Sequence, residues 1–348
     1  GWLSAQEYET LVIEVPKNNE KSPLAAEQMF ASLHGIYSDA VPHQYHLSFE
    51  IVSIDKFVQF YINIPKHLVD FVEGQIYAQY PTIEIKKVPD YTANINLGGK
   101  FTAGCELLTT KSEVYPIKLF TDFEVDPLSG ITSVMSKINP GEEICLQILI
   151  RPVGDEWQEK GISHISNVKK GHDSKKFNIA GLPKVVATKI IEFGGNFLKV
   201  LVDAGKEVEL HDAGGSEEVK LSGPVEDAMK SIEYKVMKLG FETKIRIVAI
   251  AHDPTSVQTK VQGLAAAFKQ FNTTNANGFK VSPIVINDNS FVELYKDRNF
   301  ESQGYILNIS ELAAIYHLPH QTVETPHIVW AGSKKGEPPS DLPLVENL

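Results

Sequence analysis

Residues 45–64, YHLSFEIVSIDKFVQFYINI, hold two apolar, β-branched and aromatic runs split by Asp55-Lys56. Each run is long enough for a strand, and a two-residue polar break between such runs is a hairpin signal. What flanks the hairpin decides the fold. Upstream, residues 10–15 (TLVIEV) read as a buried strand, and Ser22-Pro23 opens a helix whose Ala26, Phe30, Leu33 and Tyr37 recur at helical spacing. Downstream, Leu68, Val72, Ile76 and Tyr80 form a second helical stripe ended by Pro81, and residues 83–88 (IEIKKV) return as a strand. The order βαββαβ predicts a ferredoxin-like unit over residues 8–90.

The pattern restarts further along. Residues 91–116 read as a loose Gly- and Thr-rich connection. Residues 117–125 (IKLFTDFEV) then alternate like a strand, Asp126-Pro127 starts a helix with Leu128, Ile131, Met135 and Ile138, and residues 144–151 (ICLQILIR) form the next strand. Strand 243–251, the helix opened by Asp253-Pro254, and strand 279–286 complete a second unit. Its segments are 117–153 and 225–287, split by a 154–224 insertion. Residues 288–331 follow as a strand–helix segment, and 332–348 read as a Lys-, Gly- and Pro-rich linker to a further domain. The expected class is α+β, two tandem ferredoxin-like units with a long, partly helical insertion in the second.

The chain has 348 residues, 43% hydrophobic and 22% charged, which suits two or three folded domains rather than disorder. Its net charge of −11 argues against a general nucleic-acid coat. Cys105 and Cys145 are no disulfide framework, so a reducing compartment is expected. No apolar run is long enough for a membrane-spanning helix.

The insertion stands apart electrostatically. Residues 160–200 carry eight Lys against Asp173 and Glu192, and Leu182, Val186, Ile190, Phe193, Phe197 and Leu201 fall on one helical stripe. Lys184, Lys189 and Lys199 lie off that stripe, so Lys184, Lys189, Phe193, Phe197 and Lys199 are the candidate contacts to an anionic membrane surface or a partner. The alternative is packing of this stripe on the protein's own acidic body.

Chemistry motifs are sparse. There is no Walker A loop, no dinucleotide fingerprint, no H-E-x-x-H and no C-x-x-C. His43-x-x-His46 and His317-x-x-His320 could each offer two metal ligands, but they lack companion cysteines and read as surface or capping histidines. No catalytic residue, metal or cofactor is therefore expected. Phe57 and Tyr61 share one face of their strand and are the candidate base-stacking pair if single-stranded DNA is bound. Packing of that face against a neighbouring domain is the competing expectation.

Several stretches taken together carry a family resemblance. They are Pro23 through His34 (PLAAEQMFASLH), Tyr61 through Pro65 (YINIP) running into Phe71 through Pro81 (FVEGQIYAQYP), Asp126-Pro127-Leu128 with Leu146 through Pro152 (LQILIRP), and Leu307 through Pro319 (LNISELAAIYHLP). The chain resembles the region preceding the motor in bacterial conjugation and type IV secretion-type ATPases, the DNA-pumping branch of the P-loop ATPases. The resemblance covers most of the chain outside 154–222, through structural rather than catalytic motifs. It implies a non-enzymatic assembly and docking region at the inner face of the cell membrane. The implied partners are other copies of itself and a P-loop motor domain. The alternative function is a nucleic-acid-binding module that feeds single-stranded DNA to the motor.

Overall fold

The computed structural model describes residues 7–95, 98–169, 223–274 and 276–332. The predicted hairpin is its organising element. Strands β2 (Leu47–Ile54) and β3 (Phe57–Pro65) pair antiparallel, with Ile54 opposite Phe57. Asp55 and Lys56 make the turn at φ 51° and 73°, the left-handed backbone that a two-residue hairpin requires. Neither is glycine, so the turn is strained, and it is fastened from outside. The Gly141 amide donates to Asp55 Oδ1 at 2.6 Å.

Strand β1 (Tyr8–Glu14) and helices α1 (Pro23–Leu33) and α2 (Val69–Gln79) surround this hairpin, and β4 (Glu84–Val88) completes the first half. Helix α1 starts where the sequence places it: Ser22 accepts the Leu24 amide and Pro23 fills the first position. Its Ala26, Met29, Phe30 and Leu33 are buried. The strands lie in the order β4-β1-β3-β2, and every neighbouring pair is antiparallel.

The second half begins earlier than the sequence pattern indicates. Residues 101–109, read above as connection, form strand β5 (Phe101–Thr109). Residues 117–125, read as a strand, contain only a single 3₁₀ turn at Phe120–Asp122. Small residues explain the first error. Ala103, Gly104 and Cys105 weaken the strand signal because both faces are tightly covered, and a Cβ on Gly104 would meet the Phe291 ring at 2.4 Å. The second error has a hydrogen-bonding cause. The Ile117 amide donates to Glu311 Oε2 and the Lys118 amide to the Phe271 carbonyl, so the segment is satisfied without entering a ladder.

After β5 come α3 (Pro127–Ser136), β6 (Glu143–Pro152), α4 (Glu156–Lys169), α5 (Gly223–Val236), β7 (Gly240–Ala251), α6 (Pro254–Ala267) and β8 (Phe279–Val281). Short β9 (Val285–Ile286), α7 (Asn289–Lys296), β10 (Tyr305–Asn308) and α8 (Ile309–Ile315) follow. The second half has the strand order β6-β7-β5-β8. Numbered within each half, both read fourth, first, third, second from their outer edges. Antiparallel pairing of β2 with β6, from Leu47 opposite Ile150 to Ile54 opposite Glu143, fuses the halves into one sheet. Strand β10 adds to β7 and β9 to β5, giving ten strands.

One face of this sheet packs on α1, α2, α3, α6 and α8 through an apolar core that includes Phe30, Phe49, Phe60, Ile148, Ile247 and Leu264. The other face is covered at its centre by α7 and the turn at Tyr91–Asn94, through Val12, Val52, Tyr61, Tyr91, Cys145, Val248 and Tyr295. Central strands buried on both faces read as near-continuous apolar runs, which is how β2, β6 and β7 appear in the sequence.

Two long-range ties complete the body. Lys235 on α5 and Glu311 on α8 are fully buried and 3.1 Å apart. The C-terminal described segment returns to the first half, where Ile328 bridges Val58 and Trp330 bridges Val15. Its backbone bonds are Val58 N to His327 O, Val329 N to Val58 O and Ala331 N to Val15 O, at 2.8–3.0 Å.

Candidate functional site

The sheet face beneath α7 carries a row of polar side chains at one register position across five central strands. Tyr61 lies opposite Glu50, Glu50 opposite Gln147, Gln147 opposite Arg246, and Arg246 opposite Glu106. Glu50, Gln147 and Arg246 are at most 1% exposed. Side chains alternate between faces along a strand, so this row shares its face with a further polar pair on the next rung, Ser48 opposite Asn63.

Burial makes such a row costly unless each charge is paired and hydrogen-bonded. The residues after α7 supply the partners. Arg298 donates from Nε to Glu50 Oε2 at 2.6 Å and from Nη1 to Asp90 Oδ2 at 2.7 Å, with second bonds from Nη2 to both carboxylates. The Tyr91 hydroxyl contacts Glu50 and lies 2.6 Å from the Tyr295 hydroxyl. Gln147 Nε2 donates to the Tyr295 carbonyl at 2.8 Å. Arg246 reaches Glu106 at 3.1 Å and the Asn299 carbonyl at 2.5 Å. Arg298 itself has φ 47°, a strained backbone held in place by these bonds.

The electrostatics follow from this pairing. Burial works against the Arg298 charge, but Glu50 and Asp90 outweigh it and hold the guanidinium far above its usual range. Burial likewise opposes the Asp90 charge, yet Arg298 brings its carboxyl below the usual range. Burial first, then the Glu50 charge, pushes Tyr91 far up. The row is a closed set of satisfied charges whose chemical work is to clamp α7 and the 90–94 turn onto the sheet.

Beside this clamp opens a cleft of about 320 Å³, lined by Tyr8, Thr10, His46, Asn63, Asp90 and Arg298 among others. His46 is 7% exposed, and its Nδ1 has no hydrogen-bond partner. Burial first, then the charge of Arg151, pushes its pKa down to about 4, so the ring is neutral at pH 7. The buried Tyr8 hydroxyl also lacks a partner, and burial followed by Tyr45 raises it to about 12. A second, more open cavity of about 630 Å³ lies between residues 116–119 and α5, lined by Ile117, Lys118 and Tyr234 among others.

Of the sequence-predicted contacts, Lys184, Lys189, Phe193, Phe197 and Lys199 lie outside the described residues. The base-stacking pair needs correction. Tyr61 is 8% exposed, and its ring packs on Tyr91 at 5.0 Å between centroids, so no base can stack on it in this arrangement. Phe57 is half-buried and meets His327 edge-on. The histidine pairs are split between different environments: His46 lines the cleft, while His317 is bonded to Ala313 O at 2.7 Å and Asp126 Oδ1 at 2.6 Å. Among the described residues no group of three or more His, Cys, Asp or Glu is placed to hold a metal ion.

The polar row was missed in the sequence, yet it left a signal there. Glu50, Gln147 and Arg246 each interrupt an apolar strand near its middle, and only register brings them together.

The chain matches the family model described as a domain of unknown function, DUF8128, over residues 2–331, and it belongs to that family. No curated protein matches the chain.

Proposed function

We propose that this DUF8128-family chain is a non-catalytic assembly and docking platform for a type IV secretion or conjugation-type motor ATPase, built from two ferredoxin-like repeats that share one sheet. The observation that carries this reading is the return of residues 327–331 to the first half, where they are bonded to Val15 and Val58. That attachment holds residue 332 at a fixed point on the sheet, as a positioning element requires. The identical strand order of the two halves supports duplication. The polar row supports a structural role, because its charges are consumed by one another.

Assembly through the β4 edge is disfavoured. Lys86 pairs with Glu14 and Glu84, and Lys87 lies 3.8 Å from Glu9, the charged edge that blocks strand-to-strand addition. The 154–224 insertion, through Lys184, Lys189, Phe193, Phe197 and Lys199, is the proposed contact to an anionic membrane. Among the described residues no helix is long and apolar enough to cross one.

Co-expression with a P-loop motor domain from the same gene neighbourhood tests the platform reading. The expected result by light scattering is a stoichiometric complex that survives salt, and absence of a complex overturns the reading. Binding of single-stranded DNA with a steep salt dependence would favour the nucleic-acid-binding alternative instead.

A further inference from the structure

Among the described residues, the buried cations Lys235, Arg246 and Arg298 each face a carboxylate, on Glu311, Glu106 and Glu50 respectively. Lys244 is enclosed to a similar degree, at 6% exposure, and forms no ion pair among them. The two carboxylates whose charges it feels are already engaged. Glu106 meets Arg246 Nε at 3.1 Å, and Glu242 meets Arg151 Nε at 2.8 Å while accepting the Gly304 amide. Lys244, Arg246 and Arg151 therefore gather around two acids, with one positive charge left over. An unpaired ammonium is unfavourable in such surroundings, and burial pushes its pKa down. What the ammonium does touch is a serine, because Lys244 Nζ donates to Ser302 Oγ. Ser302 lies in an exposed run, Glu301 to Gln303, that is neither helix nor strand and leads from Arg298 to β10. The buried charge thus ends at the surface, on a hydroxyl that an enzyme can reach.

We infer that Ser302 is a phosphorylation site whose phosphate is received by Lys244. In the transfer, Ser302 Oγ attacks the terminal phosphorus of a nucleoside triphosphate held by a protein kinase. The bridging P–O bond breaks, the nucleoside diphosphate leaves with that electron pair, and the hydroxyl proton passes to the kinase's base. A phosphoserine carries about two negative charges at pH 7 and strong acceptor oxygens, so it supplies the counter-charge that a neutral hydroxyl cannot. Attachment at Oγ keeps those oxygens beside Lys244 Nζ, whereas a free anion has to displace the Ser302 side chain to arrive there. The modification tightens a strap. Arg246 Nη2 already holds the Asn299 carbonyl at 2.5 Å and Arg151 Nη1 the Phe300 carbonyl at 3.0 Å, and a phosphate–ammonium pair adds a charged fastening two residues further on. The inference is independent of the platform reading.

The full chain carrying phosphoserine at position 302, installed by amber suppression, tests it. Phosphorus NMR is expected to show the second phosphate ionisation displaced by about one pH unit below its ordinary value of about 6. Tm is expected to exceed that of the unmodified chain. Lys244→Met in the phosphorylated chain should abolish both changes, and Lys244→Arg should keep them. In the unmodified chain Lys244→Met should leave Tm equal or higher, which separates loss of the phosphate's partner from loss of the fold. Mass spectrometry of peptides from the chain isolated from its own cells should place phosphate on Ser302. An unshifted ionisation, a shift that survives Lys244→Met, a lowered Tm on phosphorylation, or native chain without phosphate at Ser302 overturns the inference. Saturable binding of inorganic phosphate to the unmodified chain, lost in Lys244→Met, assigns the cation to a free anion and overturns it as well.

Discussion

Glu50 and Arg298 stand 248 residues apart in the chain and face each other under α7, with Arg298 Nε 2.6 Å from Glu50 Oε2. Both side chains are at most 5% exposed. Neither charge tolerates isolation there, so the pair obliges the segment after α7 to close onto the seam between the two halves.

Removing one member should be costly. Glu50→Gln or Arg298→Met alone is expected to lower unfolding free energy by about 3–5 kcal/mol, the usual cost of orphaning a buried charge. In urea unfolding the double variant should cost less than the sum of the singles, with a coupling of at least about 1 kcal/mol. Additive single effects would show that the two residues do not act together.

Lys235 and Glu311 bind the insertion's neck to the body. Lys235 Nζ also donates to the Ile306 carbonyl, and Glu311 accepts from the Asn308 and Ile117 amides. Lys235→Met should destabilise by about 3 kcal/mol or more, because it strands the Glu311 carboxylate at zero exposure. Hydrogen exchange should show earlier opening of α5 and of residues 115–118. Uniform loss of protection across the sheet would contradict this local role.

His46 makes stability depend on acid. Its folded pKa of about 4 lies below the ordinary 6.5, so the unfolded chain binds the extra proton between these values. Its contribution is complete above pH 6.5 and is lost as pH falls toward 4, by up to about 3 kcal/mol. His46→Phe should flatten the urea-midpoint profile across that window. An unchanged slope in the variant would assign the acid sensitivity elsewhere.

Gly104 leaves room for one ring. Gly104→Ala places a methyl 2.4 Å from two Phe291 ring atoms and should cost about 1–3 kcal/mol through displacement of α7. Adding Phe291→Leu should restore part of the loss in thermal unfolding. A Gly104→Ala variant with unchanged Tm would show that α7 yields without strain.

The helices were legible in the sequence because their starts are local. Ser22-Pro23, Asp126-Pro127 and Asp253-Pro254 cap α1, α3 and α6 with side chains that need no distant partner. Strand β5 was not legible, since Gly104 is small for a reason that lies on α7, while Ala103 and Cys105 pack into the core on the opposite face. The alternation of residues 117–125 misled for a similar reason, as Glu311 satisfies the Ile117 amide from 194 residues away. The polar row depends on register between five strands, and composition within any one strand does not disclose it. His46 was visible only as half of a histidine pair, and the burial that defines its chemistry comes from Phe300 and Tyr8.

The crossing of the chain between halves has a mechanical consequence. Strand β10 extends the second half, but Tyr316, just past α8, packs on Phe30, Phe49 and Phe60 of the first, and residues 327–331 end between Val15 and Val58. Tyr316 therefore fastens the two halves together from the helical side, while β2 and β6 join them within the sheet. A torque that opened the β2–β6 seam like a book would put this fastening in tension before the seam could part. Bending stiffness thus comes from two fastenings on different planes, as in a beam braced on its outer flange, and a pull applied at residue 332 loads β1 and β3 directly rather than peeling the second half away.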